Sequence, residues 1–177
     1  MRVLKKRIWL LALPCWTVAV QGLPAREEVL AGVYPGADIK TERLFLTEEQ
    51  IRRVEELAGS APPSAYVVRY RLVREGREVG RAYVDTHVVR SKRETLLICL
   101  DAAGTVRRVE VVAFQEPPEY RLPDPWFEQY RGKSLADGLR VQRDIRPVVG
   151  ATLSTLAAAL AVRRVLALDE LTREEAR

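Results

Sequence analysis

The residues with the best claim to chemistry stand close to the C-terminal end, in the run Gly150-Ala151-Thr152-Leu153-Ser154-Thr155. A glycine lets a ligand approach the backbone closely, and hydroxyls in the first turn of a helix sit among N–H groups that have no intrahelical acceptor, at the positive end of the helix dipole. That combination favours an anion, a phosphate above all. Taken alone the signal is weak, because Ser and Thr at helix starts usually serve as caps.

Other catalytic constellations are missing. His87 is the single histidine, which excludes a zinc site of several histidines and a Ser-His-Asp triad on any other base. Flanked by Thr86 and Val88 in a strand-like run, it reads as a structural residue. Of the two cysteines, Cys15 belongs to an N-terminal apolar run and Cys99 to Thr95-Leu96-Leu97-Ile98-Cys99-Leu100, too few for thiolate metal or iron–sulfur sites. Cys99 is expected in the core as a small apolar side chain. Neither G-x-G-x-x-G nor G-x-x-x-x-G-K-[ST] occurs, so the glycine-rich phosphate loops are absent.

The elements that must position the Gly150 run follow from periodicity. Thr47 and Gln50 form a capping-box pair that opens a helix ending near Gly59. From residue 65 the pattern alternates, and four antiparallel strands are expected: one beginning at Tyr66, then Val79–Val89, Thr95–Asp101 and Val106–Ala113. Glu75-Gly76-Arg77-Glu78 and Asp101-Ala102-Ala103-Gly104 supply turns. Arg69, Arg71, Arg74, Arg77 and Arg81 alternate with apolar residues, as on the solvated face of a strand pair. Asp124-Pro125-Trp126 looks like an N-cap followed by Pro at N1, opening a short helix to Tyr130. Ala151–Leu168 has strong helix formers and an apolar length too short to span a bilayer. The expected fold is α+β, an antiparallel β-meander packed by a C-terminal apolar helix and an N-terminal helix.

The chain has 177 residues, 47% of them hydrophobic and 30% charged, enough for one folded domain. Its formal charge of +5 owes four charges to Arg2, Lys5, Lys6 and Arg7, so the basic balance does not indicate nucleic acid. Those residues precede an apolar run from Ile8 to Val20, the layout of a secretory signal over residues 1–22, with cleavage expected near Gly22 or Ala25 and an uncleaved anchor as the alternative. The protein is therefore expected to be exported, periplasmic or on the extracytoplasmic face of the membrane. Residues 23–64 then form an N-terminal helical extension and 65–170 the main domain. Twenty-four arginines against five lysines and no asparagine are compatible with a thermophilic or high-GC source.

Arg143-Asp144-Ile145 followed by Val149-Gly150-Ala151-Thr152-Leu153-Ser154 resembles the C-terminal motif of the FMN-binding domain family, which includes the flavoprotein subunits of Rnf and Na⁺-pumping quinone-reductase complexes. The order of hairpin, Glu116-Pro117 step and apolar helix over roughly residues 75–168 is similar as well. The resemblance implies an electron carrier in which FMN sits at Gly150-Ala151-Thr152, with Leu153, Ser154 and Thr155 in the same turn, and Glu116, Tyr120 and Trp126 lining the flavin pocket. It implies a membrane redox protein or complex as partner, and a flavin transferase that links FMN to the threonine through a phosphoester. Family members that carry this bond usually have Asp six residues before the threonine and Ser or Thr three before it, where this chain has Arg146 and Val149. Covalent FMN, non-covalent FMN and a binding or sensory module without flavin all remain open at this point.

Overall fold

The computed structural model describes residues 25–175, so the leader predicted over residues 1–22 lies outside the described residues. The element order is α1 (Arg26–Val33), β1 (Asp38–Phe45), α2 (Glu48–Ala58), β2 (Tyr66–Arg74), β3 (Arg77–Val88), β4 (Arg93–Asp101), β5 (Val106–Phe114), three short 3₁₀ turns between Pro118 and Asp137, and α3 (Thr152–Glu174). The strands form one antiparallel sheet in sequence order, β1-β2-β3-β4-β5. The fold is α+β, with the C-terminal helix and an N-terminal helix packed on a meander.

Five strands stand where four were expected. The additional one, β1, pairs with β2 along its whole length, from Asp38↔Val73 to Phe45↔Tyr66. Its side chains are almost all exposed or half-exposed, as on an edge strand, so its sequence carries little alternation to read. The β2–β3 turn is tighter than predicted. Glu75 and Gly76 both have positive φ, 51° and 74°, as a two-residue type I′ turn requires, and Arg77 already belongs to the strand.

The sheet is covered on both faces. On one, Val29, Leu30 and Tyr34 from α1 and the segment after it pack against Tyr70, Leu72, Ala82, Leu97 and Cys99. Burial pushes the Cys99 thiol up to about 12, in keeping with a core residue. On the other, α3 lies over β3 and β4 with α2 beside it, joining Ala158, Val162 and Val165 to Tyr83, Leu96, Ile98 and Val109 in the larger core. Because α3 is enclosed by the sheet, α2 and the segment before it, it is apolar around most of its circumference. Its 23 residues run past the predicted end at Leu168 to Glu174, and no helix among the described residues is long and apolar enough to cross a membrane.

The capping box that opens α2 is present on both sides: Gln50 N–H donates to Thr47 Oγ1 at 3.2 Å and Thr47 N–H to Gln50 Oε1 at 2.9 Å. Gly59 closes the helix in the left-handed conformation. Asp124 does not cap the 3₁₀ segment Asp124–Tyr130; its carboxylate takes Arg121 Nη2 at 2.5 Å. The arginine ladder is also not simply a solvated face. Arg81 is 4% exposed and pairs with Asp169 of α3, while Glu42 and Glu78 link Arg69, Arg71 and Arg81 into one connected set.

Candidate functional site

Gly150 adopts φ +85°, a conformation that L side chains rarely take, and turns the chain into α3. Ala151 N–H donates to Val148 O at 3.1 Å, and the first helical bond runs from Thr155 N–H to Ala151 O at 2.9 Å. Ala151 is the N-cap and has no polar side chain, so no side chain caps the first turn. Thr152 is exposed, and among the described residues its hydroxyl makes no hydrogen bond.

The other two hydroxyls of the run have structural partners. Ser154 is 1% exposed and its Oγ donates to Tyr120 O at 2.6 Å. Thr155 is fully buried and its Oγ1 accepts Val148 N–H at 3.2 Å. These two bonds fasten the segments on either side of the helix start and leave Thr152 as the accessible hydroxyl.

Beside that start lies an open pocket of about 260 Å³ lined by Arg90, Tyr120, Gly150, Ala151, Thr152 and Leu153. The Arg90 guanidinium stands 4.7 Å from the centre of the Tyr120 ring, a cation–π distance, and makes no salt bridge among the described residues. Val149 is fully exposed and Leu153 is 49% exposed, so apolar surface borders the pocket. Arg90 was not singled out in the sequence, where it is one arginine in a strand-to-turn run. Only the three-dimensional return of the β3–β4 turn towards Tyr120 marks it.

Glu116 and Trp126 hold this arrangement together and are not among the residues lining the pocket. Glu116 Oε1 accepts the N–H groups of Arg90, Ser91 and Lys92 at 3.0, 2.7 and 2.8 Å. The bonds from Ser91 and Lys92 above all hold its carboxyl below the usual range, and they fix the turn that carries Arg90. Trp126 Nε1–H donates to Arg146 O at 2.7 Å, and its ring meets Phe127 and Tyr130 edge-on. Arg146 N–H in turn donates to Gln129 Oε1 at 2.9 Å. Arg146 thus ties down the approach to Gly150 through its backbone, and the cation at the pocket is Arg90. Asp144 Oδ2 accepts Arg140 N–H at 2.9 Å, a bond within the loop.

A second polar cluster lies between α3 and the sheet, built around His87, which the sequence reads as structural. His87 Nδ1 lies 2.8 Å from Asp85 Oδ1 and its Nε2 3.2 Å from Glu94 Oε2, all three side chains being buried. Arg164 from α3 completes the set with Nη2 at 2.9 Å from Asp85 Oδ1 and Nε at 3.1 Å from Oδ2. Burial acts to lower the His87 pKa, but its bonds to the two carboxylates outweigh burial and raise it above 6.5. No group of three or more His, Cys, Asp or Glu suited to a metal ion occurs among the described residues.

Fold and site define an α+β protein with an uncapped, pocket-bordered helix start. Comparison with known protein families, with curated proteins and with solved structures finds no match for the chain.

Proposed function

We propose that this protein is an extracytoplasmic electron-transfer protein that binds FMN at the Gly150-Ala151-Thr152 helix start. One observation carries the reading: Thr152, the residue to which the family resemblance assigns the cofactor, is the hydroxyl of the run left exposed, in an uncapped first turn beside the Arg90–Tyr120 pair. The donor set fits a flavin phosphate. First-turn N–H groups and an arginine that makes no salt bridge among the described residues suit a dianion, and Tyr120 and Leu153 give a planar ring aromatic and apolar surface.

The bound flavin would supply the one- and two-electron chemistry. The chain's part is to hold the phosphate, shelter one side of the ring and keep the helix start rigid through Glu116, Trp126, Ser154 and Thr155. The partners of such a carrier are a membrane redox protein or complex and, where the bond is covalent, a flavin transferase.

The test is intact mass and visible absorbance of the protein produced in an exporting host together with a flavin transferase, beside a Thr152→Ala control. A yellow protein with one FMN-sized adduct that is lost in the control supports attachment at Thr152. Colour released on denaturation means non-covalent FMN. A colourless protein with an active transferase rejects the carrier and leaves a non-redox binding or sensory module.

A further inference from the structure

At one end of the sheet β2 and β3 separate. Their pairing runs from Arg74↔Arg77 to Val68↔Val84 and stops, while β2 stays on β1 as far as Tyr66 and β3 stays on β4 as far as Val88. Ser64 Oγ takes the Tyr66 amide at 3.0 Å. The opening between the strands, bounded by α3 and by the Pro62-Pro63 connector, is a cavity of about 270 Å³. It shares no residue with the pocket at Thr152.

Its walls are largely apolar, with Val67, Val68, Val84, Val165 and Leu168 among them, and its charged lining consists of Asp85 and Arg164. These two form a buried bidentate pair, with the side chains 5% and 7% exposed, so the polar end of the cavity has no net charge. The pair is unequal in what it has left to offer. Asp85 Oδ1 is engaged by Arg164 Nη2 and His87 Nδ1, and Oδ2 by Arg164 Nε. Arg164 Nη1 and Nη2 each carry two N–H groups and each use one, on Ser60 Oγ and Asp85 Oδ1. Of the roughly four lone-pair positions of Asp85 three are filled, so the charged end has two guanidinium N–H groups to spare against one carboxylate position, and donors prevail.

We propose that this cavity is a binding site for a neutral, mainly apolar small molecule that presents a carbonyl oxygen to Arg164. The valine and leucine walls favour hydrocarbon. An anion would be desolvated against the Asp85 carboxylate and a cation against the Arg164 guanidinium, each at a site whose charge is already balanced. An amine or alcohol donor would find three of the roughly four lone-pair positions of Asp85 already filled. A carbonyl oxygen accepts what Arg164 has left and brings no charge.

Benzophenone is a suitable probe, since it is a neutral ketone that also crosslinks to nearby C–H bonds under ultraviolet light. Diphenylmethane has nearly the same shape without the carbonyl, and 4-benzoylbenzoate adds a negative charge. Titration calorimetry of the whole protein is expected to show one benzophenone per chain, held about tenfold more tightly than diphenylmethane, the difference a carbonyl on a charged donor brings. Photolabel is expected in peptides spanning residues 62–68, 84–86 or 164–168. Val84→Phe and Val67→Trp, which fill the cavity from two strands, are each expected to weaken binding at least about tenfold with the far-ultraviolet circular dichroism unchanged. Equal affinity for ketone and hydrocarbon, tighter binding of the benzoate, label elsewhere, or binding unaffected by both fillings would each overturn the proposal.

Discussion

Asp169 Oδ1, on α3, lies 2.5 Å from Arg81 Nε on β3, with both side chains buried. The same oxygen accepts the Tyr83 hydroxyl at 2.9 Å, Oδ2 takes Arg81 Nη2 at 3.1 Å, and Arg173 stands in ion-pair contact with Oδ2, its Nε 3.0 Å away. A buried pair adds little net stability compared with apolar residues of its shape, but removing Asp169 leaves the buried Arg81 guanidinium with Glu78 as its one carboxylate partner among the described residues. Asp169→Ala is therefore expected to cost about 3–5 kcal/mol in urea unfolding. Arg81→Met with Asp169→Leu is expected to recover most of that loss, less what Tyr83 forfeits with its acceptor. A double variant as unstable as Asp169→Ala would show that the pair itself, and not the undercompensated arginine, sets the cost.

Gly80 governs how α1 docks. A Cβ there would stand 2.4 Å from Leu100 O and 2.4 Å from Tyr34 Cε1, and the Tyr34 hydroxyl reaches Leu100 O at 2.7 Å. Neither obstacle is the loose end of a flexible side chain. Gly80→Ala is expected to destabilise the fold by about 1–3 kcal/mol, as overpacking does. It should also loosen the segment holding Tyr34, so that limited proteolysis cuts around Tyr34-Pro35-Gly36 faster than in the wild type. Unchanged stability and cleavage would show that the strand absorbs the methyl group.

The buried His87 cluster gives stability a defined pH dependence. Burial opposes its charge, yet bonds to Asp85 and Glu94 prevail and its pKa in the fold is raised above 6.5. A raised pKa means that the stabilisation is complete below the unfolded value, about 6.5, and is lost as pH rises through the folded one. Asp85 behaves oppositely. Burial acts to raise its pKa, but the bonds from His87 and Arg164 hold it below 3.8, so its contribution is present above the unfolded value and lost as pH falls through the folded one. Between about pH 4 and 6.5 both contributions are in place. Thermal melting is expected to decline as pH rises from 6 towards 9, and His87→Gln to lower Tm at pH 6 while flattening that decline. Parallel curves for the two proteins would mean that His87 is not charged in the fold.

What was legible in the sequence was what local rules determine. Thr47 and Gln50 announced α2, Asp101-Ala102-Ala103-Gly104 a turn, and the alternation of residues 66–114 four of the five strands. The element missed most completely, β1, has no buried face to impose a period on it. At the helix start the hydroxyl residues were legible but their directions were not. Whether Ser154 and Thr155 face a ligand or the protein depends on Tyr120 O and the Val148 amide, 34 and 7 residues away. Arg90, Asp85 and Arg164 became candidates for the same reason, since their partners are brought to them only by the meander and by α3 crossing it.

The same division among the hydroxyls separates stability from function at α3. Thr152 is exposed and makes no hydrogen bond among the described residues, so Thr152→Ala is expected to leave Tm within about a degree of the wild type, as a surface change away from structural contacts does. Thr155→Ala removes the acceptor of the Val148 amide and Ser154→Ala the donor to Tyr120 O, and each is expected to cost about 1 kcal/mol. Flavin retention after incubation with FMN, or after production with the transferase, should show a different ranking. Thr152→Ala should abolish a covalent adduct without unfolding, whereas Ser154→Ala and Thr155→Ala should lower the yield of loaded protein only as far as they lower stability. Arg90→Gln separates the two effects further, because its guanidinium stacks on Tyr120 but forms no salt bridge among the described residues. It is expected to weaken FMN retention about tenfold, with little change in melting. Equal retention in wild type and Arg90→Gln would remove Arg90 from the phosphate site, and a Thr152→Ala protein that melts well below the wild type would show that its hydroxyl serves the fold.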